Sequence, residues 1–367
     1  GLFTQVEQLN KTELKAHGLD KNGHLYKVNS FDFHRYEDTI KLADDPDYNQ
    51  ANFEGMLEIK GDSDHTKLIE MLDALNDESQ KIDNVLDTYF DTENLVYWLA
   101  FQILTGNCDT QNRNCYLYSP LNSNTWYILD WDNDGMLRKL ELSLAGFSDY
   151  ASWERGVSNY WGNVLFNRAL RSKVFRSELD RAVMDLRSYM TEARLSKMIK
   201  HYPKATESLL FASPHIDNLP VTKDQYEQIA AAIPSEIEEN YKSFRESYKK
   251  PMPFYIGVPQ IDNGKLRINW DTSYDFEARD IRYTLELSRD YAISDVLFKA
   301  EDVLLPEVTC DAPNAGQYFV RVRAANSDGY TQDAFDYYVT DDGKQYGMKC
   351  FYVQDGGKVV EDTYEEG

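Results

Sequence analysis

Residues 105–134 read TGNCDTQNRNCYLYSPLNSNTWYILDWDND, and this segment is the most informative about the architecture of the chain. It contains two short runs of aromatic, apolar and β-branched residues, NCYLY at 114–118 and TWYIL at 125–129. The run PLNSN at 120–124 separates them and consists of residues that favour turns. The pattern predicts a β-hairpin with a cluster of acidic residues directly after its second strand.

The elements around this hairpin are predicted to be mainly helical. Asp91 is expected to cap the apolar helix ENLVYWLAFQIL, which ends at Gly106. An earlier helix is indicated by apolar residues that share one face, namely Leu68, Met71, Leu72 and Leu75. Helical patterns also follow Trp153, and Pro234 is expected to break or bend the last of them. Residues 1–60 instead favour a partial β layer, with strands in GLFTQVEQL and GHLYKV.

The acidic residues after the hairpin match the pattern of an EF-hand calcium loop. The matching residues are Asp130, Asp132, Asp134, Gly135 and Glu141. An EF-hand requires a helix immediately before its first ligand, whereas the residues before Asp130 favour a strand. Trp131 also occupies a loop position that is normally small or polar. We therefore do not expect an EF-hand here.

The order of polar side chains around the hairpin is typical of protein-kinase-like phosphotransferases, which use D-x-x-x-x-N, two short strands and then a metal-binding Asp. Asp109 and Asn114 have this offset, and Asp132 follows the two strands. Asp109 would take the proton of an acceptor hydroxyl, while Asn114 and Asp132 would hold Mg²⁺ on the phosphates of ATP. Asp134 could hold a second ion or stay in the outer shell. Trp126 could stack on adenine or serve as a core aromatic residue.

The charge of the chain excludes some classes of partner. The 367 residues include 39 Lys and Arg against 62 Asp and Glu, and the formal net charge is −23. Such a surface repels phosphate backbones and anionic lipid, so nucleic acid is not an expected partner. No apolar run approaches the roughly 18 residues that a membrane helix needs, so membrane insertion is not expected either. Cationic metals and polar substrates suit this chain better.

The pattern changes at residue 251, where period-two alternation replaces the helical period. The strands KLRINW, RYTLELSRD and QYFVRVRAAN, together with Trp270, resemble a fibronectin type III domain, an antiparallel sandwich that commonly serves as a spacer or a binding surface. We predict an α+β domain over 1–250, an all-β sandwich over 251–341, and a β-hairpin extension over 342–367 that turns at its DGG sequence.

Motifs of the first domain resemble a known family. The segments YWLAFQILTGNCDTQNRNCYLY and WYILDWDNDGML are similar to the core of the CotH-type spore-coat protein kinases, whose pattern is GNxD, N, W and WDxD in that order. The opening GLFTQVEQLNKTEL and the stretch GHLYK resemble further motifs of the same family. Asp109 matches the catalytic Asp of the family, Asn114 and Asp132 match its metal ligands, and Trp126 matches its adenine-stacking Trp.

The resemblance implies a protein-kinase-like fold with a β-containing N-lobe and a mainly helical C-lobe. Because the family has basic strands upstream of the motif GLFTQVEQ, the N-lobe is expected to be truncated in this chain, which would weaken ATP binding. Family members use ATP with Mg²⁺ or Mn²⁺ to phosphorylate Ser or Thr of secreted or surface proteins, which implies an extracellular or cell-surface location in a bacterium. Lys27 and Glu7 lie in motifs of the nucleotide-proximal lobe, where a surface Lys or a strand Glu without a role in binding is an equal alternative.

Two other classes of protein stay open from the sequence. A catalytically inactive surface scaffold could use the aspartates to hold Ca²⁺ structurally, and calcium binding without nucleotide dependence would distinguish it. A glycoside hydrolase would need two carboxylates about 5 to 10 Å apart. The sequence contains many acids, but no pair specifically indicates such a hydrolase.

Overall fold

A computed structural model describes residues 6–146, 150–341 and 343–362 of the chain. Its architecture is mixed α/β, with helices and several antiparallel sheets. Within the described part of the chain, no helix is both long enough and apolar enough to cross a membrane.

The chain divides into two units. The first comprises Gly1–Ser148 and Gly162–Phe244, and the second comprises Asp149–Trp161 and Arg245–Gly367. The helices, in chain order, are α1 (Lys11–Ala16), α2 (Gln50–Met56), α3 (Thr66–Asn76), α4 (Ile82–Tyr89), α5 (Thr92–Thr105), α6 (Lys139–Leu144), α7 (Val164–Arg171), α8 (Lys173–Tyr189), α9 (Glu192–Leu210) and α10 (Lys223–Ser247). The first unit therefore contains the predicted helical part, and only the end of α10 belongs to the second.

A four-stranded antiparallel sheet lies in the first unit, with spatial order β2-β1-β3-β4. Its strands are β1 (His24–Val28), β2 (Leu57–Ile59), β3 (Cys115–Ser119) and β4 (Tyr127–Asp130). Strands β3 and β4 form the predicted hairpin, and their register pairs Cys115 with Asp130. Because the start of β3 faces the end of β4, the turn that leads into β3 and the loop that leaves β4 lie at the same edge of the sheet.

Helix α5 leads directly into that turn, and both of its predicted ends are confirmed. Asp91 is the N-cap, and its carboxylate accepts the N–H of Asn94 at 2.9 Å. Gly106 ends the helix in the left-handed conformation, with φ of 63°. A Cβ at Gly106 would lie 2.6 Å from Nδ2 of Asn240, so the close approach of that side chain also requires glycine.

One predicted strand is not formed by the described residues, and of the two outcomes predicted at Pro234, a break or a bend, the break does not occur. Residues 6–9 of the predicted strand GLFTQVEQL form neither helix nor strand, and residues 1–5 lie outside the described part. Pro234 does not break α10, which is continuous through it. Ala230, whose carbonyl cannot accept the usual helical N–H from Pro234, lines a cleft of about 260 Å³ together with Pro234.

The second unit is built from antiparallel strands in three sheets. The strands are β5 (Gln260–Asp262), β6 (Lys265–Asn269), β7 (Ile281–Ser288), β8 (Val296–Val303), β9 (Glu307–Asp311), β10 (Gly316–Asn326), β11 (Thr331–Asp333), β12 (Tyr337–Thr340), β13 (Gly343–Tyr346), β14 (Met348–Val353) and β15 (Val359–Glu361). The largest sheet has the order β15-β14-β10-β7-β8, with β11 also paired to β10. The other two are β5-β6-β9 and β12-β13.

The three-stranded and the largest sheets of the second unit share one hydrophobic core. Leu266 and Ile268 of β6 are fully buried and cluster with Leu285 of β7 and Val320 of β10. Trp270, which follows β6, belongs to the same cluster. The hairpin predicted around the DGG sequence is confirmed as β14 paired with β15, and β14 is at the same time a strand of the largest sheet because it also pairs with β10.

A buried histidine links two tyrosines in the first unit. His65 is fully buried, its Nδ1 is 2.9 Å from the hydroxyl of Tyr26, and its Nε2 is 3.2 Å from the hydroxyl of Tyr48. Both ring nitrogens are thus used by a neutral imidazole, which has one donor and one acceptor. Burial lowers the pKa of His65, and burial together with the charge of Lys67 lowers the pKa of the neighbouring His24.

These lowered pKa values predict a loss of stability in mild acid. The unfolded chain, in which a histidine has a pKa near 6.5, binds protons that the folded chain resists. The free energy of unfolding should therefore have its full value above about pH 6.5 and decrease as the pH falls through the lower folded-state pKa values. Denaturant titrations between about pH 5 and pH 8 measure this slope. The variant His65→Gln, which cannot titrate, should give a shallower slope, and an unchanged slope would contradict the assignment to His65.

Candidate active site

The turn between α5 and β3 brings two of the predicted site residues together. Nδ2 of Asn114 donates a hydrogen bond to Oδ2 of Asp109 at 2.7 Å. Asn114 has φ of 58°, in the left-handed region that Asn adopts more readily than most residues. An amide that donates through Nδ2 can bind a cation only through Oδ1. Arg113 lies at the rim of the turn, with its Nε 4.0 Å from Oδ1 of Asp109.

The loop after β4 places the next two predicted residues at the same edge of the sheet. Asp132 has φ of 57° and precedes a single 3₁₀ turn, Asn133–Gly135, that includes Asp134. Both Asp132 and Asp134 are exposed. Positive φ at a residue other than glycine is uncommon and is often found at functional sites. Asn114 and Asp132, the two proposed metal ligands, share this feature.

Close contacts join this loop to the Asp109 turn. A Cβ at Gly135 would lie 2.7 Å from Oδ1 of Asn107 and 3.3 Å from Cβ of Asp109, so a glycine is needed where the two segments meet. The N–H of Leu137, further along the loop, donates to the carbonyl of Thr105 at 2.9 Å. The backbones of the two segments are therefore held against each other.

Two buried amide side chains, to which the sequence analysis assigned no role, connect the segments. Nε2 of Gln102 donates to Oδ1 of Asp130 at 2.8 Å and is 3.3 Å from Oδ1 of Asn133. Oε1 of Gln102 accepts from Nδ2 of Asn107 at 2.9 Å, and Oδ1 of Asn107 accepts the N–H of Asp109 at 3.3 Å. One signal could have found Gln102, because it is a lone amide in the apolar run WLAFQIL and a buried polar side chain needs partners.

The three carboxylates of the site do not lie close together as a group. Asp109, Asp132 and Asp134 do not bring their oxygens within 4.8 Å of one another as a group of three. Within the described residues, such a group is formed only by the exposed side chains of Glu7, Glu13 and His17. A cation that takes part of its ligands from nucleotide phosphates requires fewer protein oxygens.

The EF-hand interpretation is excluded, as the sequence analysis expected. The residues before Asp130 form the strand β4, and Asp130 ends it. Glu141, which would be the last calcium ligand, is paired with Arg138, with Nη2 and Oε1 3.1 Å apart. Asp130 accepts a hydrogen bond from Nε2 of Gln102 at 2.8 Å, and desolvation by the surrounding protein raises the pKa of its carboxyl.

Trp126 lies inside the first unit, away from solvent. Its side chain is 1% exposed, with its ring centroid 5.9 Å from that of His24 and 6.2 Å from that of Tyr26. Nζ of Lys67 is 6.0 Å from the same ring. An adenine could stack on this ring only if one of these neighbours moved. The adenine-stacking role of Trp126 stays a prediction, and the observed burial favours the alternative of a core aromatic residue.

Lys27 and Glu7 have different positions relative to the site. Lys27 is on β1 opposite Tyr116 of β3, and its Nζ lies 5.8 Å from the ring of Trp131, the residue before Asp132. Lys27 therefore lies near the loop after β4 that contains Asp132. Glu7 is exposed, and its carboxylate is 3.4 Å from Nε2 of His17. None of the described contacts joins Glu7 to the hairpin.

Comparison with known proteins identifies the class. The model of the family described as CotH kinase protein matches residues 1–244. This is well over half of the chain, and the chain belongs to the CotH kinase family. Residues 1–244 are accordingly a kinase-like domain, and kinases in general use ATP with a divalent metal.

Among solved structures, the twitchin kinase region of C. elegans is similar at 19% identity over 26% of this chain, with a TM-score of 0.20. The chain spans 20% of that protein's length, and this likeness carries no argument about the fold. No curated protein matches the chain.

Proposed function

We propose that this chain is an ATP-dependent protein kinase that transfers the γ-phosphate to Ser or Thr hydroxyls of secreted or surface proteins. The observation that carries the proposal is the meeting of two segments at one edge of the sheet. The turn with Asp109 and Asn114 lies against the loop with Asp132, and Gly135 is in close contact with Asp109.

Asp109 is proposed as the general base. Its carboxylate is exposed at the turn, and the hydrogen bond from Asn114 fixes the position of Oδ2. An acceptor hydroxyl placed beside it would lose its proton to this carboxylate as the new O–P bond forms, while the bond between the γ-phosphorus and the β-phosphate oxygen breaks and ADP leaves. Phosphoryl transfer depends mainly on position and charge, so holding the base rigidly is the principal contribution of this turn.

Asn114 and Asp132 are proposed as ligands of Mg²⁺ or Mn²⁺, with Asp134 as a ligand of a second ion or an outer-shell acceptor. One amide oxygen and one or two carboxylates fit a hard cation that keeps waters and takes phosphate oxygens. Such an ion neutralises the phosphates and stabilises the charge that develops during transfer. Lys27 is proposed to contribute positive charge near the same phosphates, which is supported by its position close to Trp131.

The direct test is transfer from γ-labelled ATP with Mn²⁺ to the chain itself and to Ser- or Thr-containing surface proteins. Asp132→Asn should reduce transfer by roughly 100-fold or more, because changes outside the metal's own ligands already cost 10–100-fold. Part of the loss should be recovered at high Mn²⁺ concentration. Mn²⁺ titration of transfer rates measures both effects.

A matched control is available on the surface of the same unit. Asp87→Asn removes one carboxylate from the exposed face of α4 and changes the net charge equally. Its transfer rate should equal that of the unaltered chain. Equal rates for Asp132→Asn and Asp87→Asn would contradict the proposed metal site.

We also propose the domain boundaries and the location. Residues 1–250 would be the kinase domain, 251–341 a fibronectin type III-like sandwich, and 342–367 an extension of it. The sandwich assignment is supported by sheet β5-β6-β9 sharing a core with the sheet that contains β8-β7-β10-β14, and by the burial of Trp270. The family suggests association with a spore coat or a bacterial surface.

A further inference from the structure

We propose that Gln102 is a positioning residue that couples the base-bearing turn to the metal-bearing loop, so that neither can move without the other. The inference rests on the proposed function, because it assigns a role in the same site to a residue that touches neither substrate nor metal. Gln102 lies near the end of α5 and is 1% exposed.

The hydrogen bonds of one side chain reach both segments. Nε2 of Gln102 contacts the loop side, with Asp130 at 2.8 Å and Asn133 at 3.3 Å. Oε1 contacts the turn side, where it accepts from Asn107 at 2.9 Å. Because donor and acceptor are fixed on one planar amide, a shift of the loop changes the geometry of the bond to the turn.

Asn107 carries the connection on to the base. This residue is 2% exposed, its Oδ1 accepts the N–H of Asp109 at 3.3 Å, and its Nδ2 is 3.4 Å from Oδ1 of Asn133. The same Oδ1 faces Gly135, where a Cβ would come within 2.7 Å. A continuous chain of contacts therefore runs from the residue after Asp132, through two buried amides, to the backbone of Asp109.

Burial makes this connection strong. Hydrogen bonds in a water-poor interior polarise one another, and an amide that loses its partner there cannot replace it with water. Helix α5 holds Gln102 in a fixed position, because both ends of the helix are capped. Occupation of the loop by a cation should therefore fix the position of Asp109, although no ligand of that cation lies on α5.

The test compares two residues of α5, Gln102 and Asn94, whose side-chain amides both form hydrogen bonds with residues of β4. Gln102→Met keeps the size of the side chain and removes its hydrogen bonds. Asn94→Ala is the control. Nδ2 of Asn94 donates to the carbonyl of Ile128 at 3.1 Å and its Oδ1 accepts the N–H of Ile128 at 2.8 Å, and neither of these bonds involves the Asp109 turn or the Asp132 loop. Thermal unfolding, Mn²⁺ affinity in the presence of a non-hydrolysable ATP analogue, and kcat are measured for each.

Both variants should unfold at a lower temperature, but only Gln102→Met should change the site. We expect its Mn²⁺ affinity and kcat to fall by about 10- to 100-fold, while Asn94→Ala keeps both. The effects of Gln102→Met and Asn107→Ala should not add, because the two residues act through one connection.

A reciprocal exchange provides rescue. Gln102→Glu alone opposes two carboxylates and should be at least as harmful as Gln102→Met. Combined with Asp130→Asn, it restores a hydrogen bond with donor and acceptor exchanged, and Mn²⁺ affinity and kcat should recover in part. A role limited to filling the core would give no such recovery.

The outcomes separate this inference from the proposed function. Loss of Mn²⁺ affinity in Asp132→Asn together with an unaffected Gln102→Met would overturn the coupling and leave the proposed function intact. Absence of both transfer activity and Asp132-dependent Mn²⁺ binding in the unaltered chain would overturn the two together.

Discussion

Asp109→Asn should reduce kcat for phosphoryl transfer by about 10²- to 10⁴-fold, the usual contribution of a positioned general base. The substitution is nearly isosteric, and the new amide can still accept the hydrogen bond from Asn114. It removes the negative charge, and with it the ability to take a proton from the acceptor hydroxyl and the ionic attraction to Arg113. Steady-state kinetics with γ-labelled ATP measure the effect, and KM for ATP should change little because Asp109 is not a proposed ligand of the nucleotide or the metal.

The three aspartates of the site should rank in their effects. Asp109→Asn should be the most harmful to kcat, Asp132→Asn should act mainly through metal affinity, and Asp134→Asn should have the smallest effect because a second ion or an outer-shell contact is the most that is proposed for it. A folded Asp109→Asn variant with unaltered kcat would be incompatible with the role assigned to this residue.

Trp126→Ala should lower the free energy of unfolding by about 3–5 kcal/mol, the range for removing a large aromatic side chain from a core. The indole is 1% exposed and contacts His24, Tyr26 and Lys67. Its backbone also joins the hairpin to the region before α5, since its N–H donates to the carbonyl of Tyr89 at 2.7 Å. Denaturant unfolding measures the loss.

A milder change at the same position distinguishes the core from adenine stacking. Trp126→Phe keeps an aromatic ring and should give a folded protein of reduced stability. If the ring is only a core residue, KM for ATP should stay within about twofold of the original value. A large rise in KM with the fold intact would instead show that the indole reaches the nucleotide, as the family resemblance implies.

The local elements of this fold could be predicted from the sequence, for identifiable physical reasons. Asp91 and Gly106 mark the ends of α5 because a carboxylate and a left-handed glycine meet the needs of unpaired helix ends wherever they occur. The hairpin of β3 and β4 followed from alternation and turn residues. Its position after α5, together with the antiparallel register, was enough to place the Asp109 turn and the Asp132 loop at one edge.

The features that could not be predicted from the sequence depend on tertiary contacts. Pro234 has an intrinsic tendency to end a helix, but α10 continues through it from Lys223 to Ser247. The burial of Trp126 depends on His24 and Lys67, which are distant in sequence. The connection through Gln102 and Asn107 was also hidden, because it arises only when α5, the turn and the loop are folded together.

The most direct test of the central claim is a crystal structure of the chain with Mn²⁺ and a non-hydrolysable ATP analogue, with the metal located by its anomalous signal. The proposed metal site predicts a peak at a direct coordination distance, roughly 2.0–2.6 Å, from the carboxylate of Asp132 and from Oδ1 of Asn114, with Asp109 facing the γ-phosphate. A peak elsewhere, such as among Glu7, Glu13 and His17, with the hairpin edge empty would contradict it.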